Sequence, residues 1–143
     1  CAVYTRADAR EDTFAQIIRH AAALYVVGDS PIHLRTTLQE TVVYEAIEQQ
    51  LENGIVVAVA GSAAALCDPM VDPRGGAFTL GLGLVESIAV ITESETWSHD
   101  RLQRCLQLAN TTVVQLPTGS ALLCVQGQWN VDGPAIVHGV LPN

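Results

Sequence analysis

Apolar residues along the chain fall into two kinds of pattern. In "EDTFAQIIRHAAA" they recur at helical spacing, with Phe14, Ile17, Ile18 and Ala21 behind acidic first-turn residues, which predicts a helix. "TVVYEAIEQQLENG" predicts a second, with Val43, Ala46, Ile47 and Leu51 on one face and Gly54 at the C-cap. "SHDRLQRCLQLA" predicts a third, capped by Ser98, with Leu102, Cys105, Leu106 and Ala109 inward. The other pattern is continuous. "ALYVV" and "IVVAVAG" are unbroken apolar runs, as expected of strands buried on both faces. "CAVYT" reads as a strand already under way, and "IAVIT" as a short one. "TVVQL", "ALLCVQ" and "AIVHGVL" close the chain as three β segments with Gly, Pro, Asn and Asp turns between them.

Buried strands separated by helices require βαβ crossovers. The expected architecture is therefore α/β, a mostly parallel sheet sandwiched by helices, in a single domain over residues 1–143. Composition agrees: 49% of residues are hydrophobic and 15% charged, which excludes a disordered or coiled-coil chain. No apolar run approaches the roughly 20 residues of a membrane span, and no signal pattern opens the chain, so a soluble cytoplasmic protein is expected. The net charge is −8 and the scattered basic residues are all arginine, which argues against nucleic acid. Cys1, Cys67, Cys105 and Cys124 lack CxxC or metal-ligand spacing, so no metal and no cofactor is expected. Cys67, Cys105 and Cys124 are expected in the core.

Open α/β sheets bind ligands at the C-terminal ends of their strands. Two loops qualify, "GDSPIH" after "ALYVV" and "GSAAA" after "IVVAVA". Gly28 and Asp29 could aim backbone N–H groups at a developing oxyanion, beside a sharp Gly61-Ser62-Ala63 turn with Ser62 as candidate nucleophile. The plainer reading is two ordinary strand-to-helix turns, with Ser62 capping the second helix. A nucleophilic serine also needs a base, and His33 and His99 are the candidates. His20 and His138 lie late in a helix and in the terminal strand. "DPRGG" offers Asp72 and Arg74, an ordinary self-paired turn unless it lines a pocket.

"AVYTRADA", "GDSPIHL" and above all "AGSAAALCDPMVDPRGGAFTLGLGLV" resemble the bacterial cyanophycinase and peptidase E family of serine peptidases, over residues 2–108 and more weakly beyond. The resemblance implies a class I glutamine amidotransferase-like fold, with an N-terminal strand and helix missing before Cys1. It implies a nucleophile elbow reading Gly-Ser-Ser-Ala-Gly-Ala, the second Ser being the nucleophile. Here "AGS" and "LCDPM" match on either side, yet Ala63, Ala64 and Ala65 leave the elbow about three residues short. If Ser62 slides into the nucleophile place, Ala64 stands where a turn glycine belongs, in a conformation alanine disfavours. The family's base His follows the strand matching "SIAVI", where this chain has Glu93, Ser94 and Glu95. A carboxylate of ordinary pKa, about 4, is a weak base for a serine hydroxyl. "VVQLPTGSAL" also lacks the family's acidic residue.

The expectation is a family member whose serine-peptidase activity is impaired, a pseudoenzyme. An active hydrolase of acidic dipeptides or aspartyl peptide bonds, with Ser62 as nucleophile, stays open, as does a non-catalytic ligand-binding or oligomerisation module. An acidic peptide would suit this acidic chain only if Arg35 or Arg74 lined its pocket. A homodimer is the expected assembly if there is one.

Overall fold

The computed structural model describes residues 1–143 and divides into two compact units, Cys1–Ser62 and Ala63–Asn143. Helices and strands alternate as the pattern predicts, and the strands fall into five small sheets rather than one large one.

In the first unit, α1 (Asp12–Arg19) stops four residues short of the predicted run. The amide of Gln50 donates from Nε2 to the carbonyls of Ile18 (2.8 Å), Arg19 (3.3 Å) and Ala21 (3.1 Å), satisfying groups a helix end leaves open. Gln50 belongs to α3 (Val42–Asn53), which is capped by the Thr41 hydroxyl accepting from the Tyr44 amide and ends at Gly54 as expected. Val43, Ala46 and Ile47 face inward as predicted, but Leu51 is exposed and Gln50 takes the fourth buried place. Likewise Ile18 is buried while Ile17 is exposed, with Ala15 filling the helix contact. "GDSP" keeps only Gly28, Asp29 and Ser30 as loop. Ser30 accepts from the His33 amide and Pro31 occupies the first turn of α2 (Pro31–Leu38), a position that suits proline's fixed φ.

β1 (Leu24–Val27) and β2 (Val56–Val59) pair in parallel, Leu24 opposite Val56 through Val27 opposite Val59. The expectation of burial on both faces fails, because Tyr25 (64%), Val27 (65%) and Val57 (41%) are open to solvent. A continuous apolar run describes residue type and says nothing of whether a second layer is present. Nor do residues 1–4 form a strand. The amides of Tyr4 and Thr5 bond instead to the Asp8 carboxylate (3.0 and 2.8 Å), leading into a 3₁₀ turn over Asp8–Arg10.

The second unit is built on β7 (Ile88–Thr92) and β8 (Thr112–Leu116), parallel from Ile88 opposite Thr112, with β11 (Ile136–His138) antiparallel on the far side of β8. α5 (His99–Leu108), capped by Ser98 as expected, lays Leu102, Cys105, Leu106 and the following Ala109 against Val71, Ala89, Ile91 and Val113. The helix α4 (Gly61–Leu66) leads into β3 (Cys67–Asp68), which pairs in parallel with β6 (Val85–Glu86). β4 (Met70–Val71) pairs antiparallel with β5 (Phe78–Thr79).

β9 (Ala121–Val125) and an unpredicted strand, β10 (Gln128–Asp132), form a hairpin. Gln126 and Gly127, both at positive φ, make its two-residue turn, a backbone twist that suits paired strands. Cys124 lies on this hairpin and is exposed, against expectation; Cys67 and Cys105 are buried as expected. Burial pushes the Cys67 thiol up to about 12 and that of Cys105 up to about 11. Iodoacetamide at neutral pH should therefore label Cys1 and Cys124 and reach the other two only on unfolding, with labelled positions read by peptide mass. Labelling of all four in the native state would contradict these burials. No helix is long and apolar enough to cross a membrane.

Candidate active site

The turn after β2 is where a nucleophile elbow would lie, and its backbone departs from the sequence expectation. Ala60 joins β2 to α4 and carries the positive φ of the turn, 55°. Ala64, expected to bear that strain, sits inside α4 instead. A left-handed non-glycine residue costs on the order of 1 kcal/mol or more and persists where surroundings hold it. In a nucleophile elbow the nucleophile itself occupies the strained strand-to-helix position. Here that position offers a methyl group.

Ser62 is fully buried. Its hydroxyl accepts from the Val59 amide (2.8 Å) and has the carbonyls of Val59 (2.6 Å) and Val26 (2.8 Å) as acceptors for its one proton. Its own amide donates to the Gly28 carbonyl at 2.9 Å. Every partner is backbone, and no imidazole is among them. The hydroxyl ties the end of β1 to the end of β2.

The two loops do meet, as their positions after neighbouring strands require. A Cβ added at Gly61 would lie 2.2 Å from the Asp29 carbonyl oxygen and 2.9 Å from that of Gly28, so only glycine permits this approach. What the Gly28-Asp29 loop turns toward Gly61 and Ser62 is thus carbonyl oxygen. An oxyanion is stabilised by N–H donors, and carbonyls aimed at the same place oppose negative charge. Ala63 follows within α4 and is half-buried.

The candidate bases are placed as follows. His33 is exposed in the first turn of α2, where Nε2 lies 3.1 Å from the Tyr4 carbonyl. A carbonyl only accepts, so in this contact Nε2 is the donor and that nitrogen is engaged with backbone. His99 is exposed at the start of α5 in the second unit. His20 Nδ1 approaches the Gln16 carbonyl, and His138 accepts from the buried Gln115 amide. Where the resemblance puts the base, Glu93 ends β7 in a left-handed conformation (φ 50°, ψ 41°) and is exposed, while Ser94 is buried. The Glu95 carboxylate is engaged: it accepts from the Thr118 hydroxyl and from the Thr118 amide (3.1 Å), and these bonds hold it below the usual carboxylate range. Asp72 and Arg74 pair with each other at 2.8 Å in an exposed turn, as the plainer reading had it. No group of three or more His, Cys, Asp or Glu side chains is placed to hold a metal.

Among solved structures, the chain superposes on the crystal structure of a peptidase from an acI-B1 Actinobacterium with a TM-score of 0.79 and 26% identity, over 95% of its own length. The chain has the fold of a peptidase. It spans 60% of that peptidase's length. No protein-family model and no curated relative matches it. Ala60 is the residue that sequence reasoning missed. Its signal was present: counting back from "LCDPM" without a gap sets Ala60 at the second Ser of the elbow that the resemblance implies.

Proposed function

We propose that the chain is a peptidase-like protein of the cyanophycinase and peptidase E type that lacks a nucleophile. The observation that carries this reading is the left-handed φ of Ala60 at the strand-to-helix turn. With the elbow Gly-Ser-Ser-Ala-Gly-Ala laid on that backbone, residues 58–63 run Ala-Val-Ala-Gly-Ser-Ala without a gap. Ala60 stands for the nucleophile and Ser62 for the glycine. The three-residue deletion expected from sequence is then unnecessary, because the chemistry is lost by substitution at full length. Glu93, left-handed at the end of its own strand, stands where the resemblance puts the base. The engaged hydroxyl of Ser62 and the inward carbonyls of Gly28 and Asp29 further support the reading.

A fluorophosphonate probe should leave the wild-type chain unlabelled. Turnover of aspartyl dipeptides should lie at least about 10⁴-fold below a triad enzyme, the scale on which losing a triad member acts. Labelling of the wild type that disappears in Ser62→Ala would overturn the proposal and restore Ser62 as nucleophile.

A further inference from the structure

β7 and β8 run parallel and end side by side, Thr92 opposite Leu116. In α/β proteins the C-terminal ends of parallel strands are where ligands bind. The loops that leave these two ends are tied together. Glu95 follows β7, and its carboxylate accepts from the Thr118 hydroxyl and from the Thr118 amide (3.1 Å), just beyond the end of β8. From Thr118 the chain passes directly into the hairpin of β9 and β10, whose strands pair with each other and with no third strand. No residue of either strand is buried. A two-stranded hairpin is marginal in water without further packing, so the bonds at its base decide where it stands.

That base is also where the backbone is free to turn. Gly119 leads into the hairpin at φ 83° and Gly133 leads out of it at φ 69°. A Cβ added at Gly133 would lie 2.2 Å from the Gly119 carbonyl oxygen, so the two crossings pass backbone against backbone. A glycine at each crossing makes a hinge, since a few such positions can absorb the change in φ and ψ that a moving segment needs. The Ser120 amide and hydroxyl bond back to the Pro117 carbonyl, which shapes the turn but ties it to nothing else. The Glu95 carboxylate reaches the turn from another element, and hydrogen bonds to an ionised acceptor are the strong ones. We propose that the hairpin of β9 and β10 is a flap rooted at the C-terminal ends of β7 and β8, hinged at Gly119 and Gly133 and latched by Glu95. The device is independent of the turn at Ala60.

The test is hydrogen–deuterium exchange of the whole chain, read by peptide mass. Glu95→Ala should speed exchange of the amides in residues 121–132 about tenfold and leave β7 and β8 unchanged, because only the flap opens. Thr118→Val keeps the amide bond to Glu95 and loses the hydroxyl's, so it should speed the same segment by less. Thr118→Ser, which keeps both donors, should exchange like the wild type. Gly119→Ala has open space for its methyl group but disfavours the left-handed hinge, and should also speed the flap. If Glu95→Ala fails to fold, the two Thr118 variants test the latch in its place. Unchanged exchange of residues 121–132 in Glu95→Ala would overturn the latch, and unchanged exchange in Gly119→Ala would overturn the hinge. Equal acceleration in β7 and β8 would overturn the proposal altogether, by making Glu95 a support of the whole unit.

Discussion

Ser62→Ala should cost about 2–3 kcal/mol of stability, the upper part of the range for a buried polar group left without its partner. The substitution removes a single oxygen, so the loss of volume is small and the hydrogen bonds dominate. The Val59 amide loses its acceptor at 2.8 Å, and the carbonyls of Val26 and Val59 lose their donor. Water cannot replace the hydroxyl easily where the side chain has no exposure. For a chain of this size the fall in melting temperature is about 4–12 °C. Thermal or urea unfolding of the two proteins side by side measures it. Had the hydroxyl been a free nucleophile, the same substitution would leave stability unchanged or raised, since active groups are commonly held at a cost to the fold. A change below about 0.5 kcal/mol, the scale of an ordinary surface substitution, would mean that the clasp between β1 and β2 does not exist as described.

Gly81→Ala is expected to be more damaging still, about 3 kcal/mol or more, because overpacking against backbone finds no flexible side chain to absorb it. A Cβ at Gly81 would fall 1.5 Å from the Cys67 carbonyl oxygen and 2.7 Å from its carbon. The stretch around it is held close to residues 65–68: the Gly81 amide bonds to the Asp68 carboxylate (2.9 Å), and the amides of Leu82 and Leu84 bond to the carbonyls of Ala65 and Leu66 (2.9 Å each). Gly75→Ala is the natural control. It has open space around the position and no positive φ, so it should be neutral or slightly stabilising. Equal unfolding midpoints for the two variants would refute the close approach of "FTLGLGL" to residues 65–68. Gly81, which in the sequence merely interrupts an apolar run, is there because backbone passes against backbone, whereas Gly83 has open space around it and a left-handed φ of 72°.

Sequence alone determined whatever short-range interactions control. The amphipathic faces of α3 and α5, the caps at Ser98 and Gly54, the strands β7 and β8 and the burial of Cys67 and Cys105 all follow from residue type at a known period. Tertiary structure decided what depends on neighbours far along the chain. Tyr25 and Val27 look like core residues in "ALYVV", yet their exposure depends on whether another layer covers that face. Cys124 depends likewise on a hairpin whose second strand, "QWNVD", carries too little apolar alternation to announce itself. The register of the candidate site is the clearest case. Alanine has no intrinsic preference for a left-handed backbone, so nothing local marks Ala60 as the residue at the bend. Ser62 Oγ bridging to Val26 and Gly61 pressed against Asp29 show how contacts across more than thirty residues hold that bend, and such contacts exist only once the chain has folded.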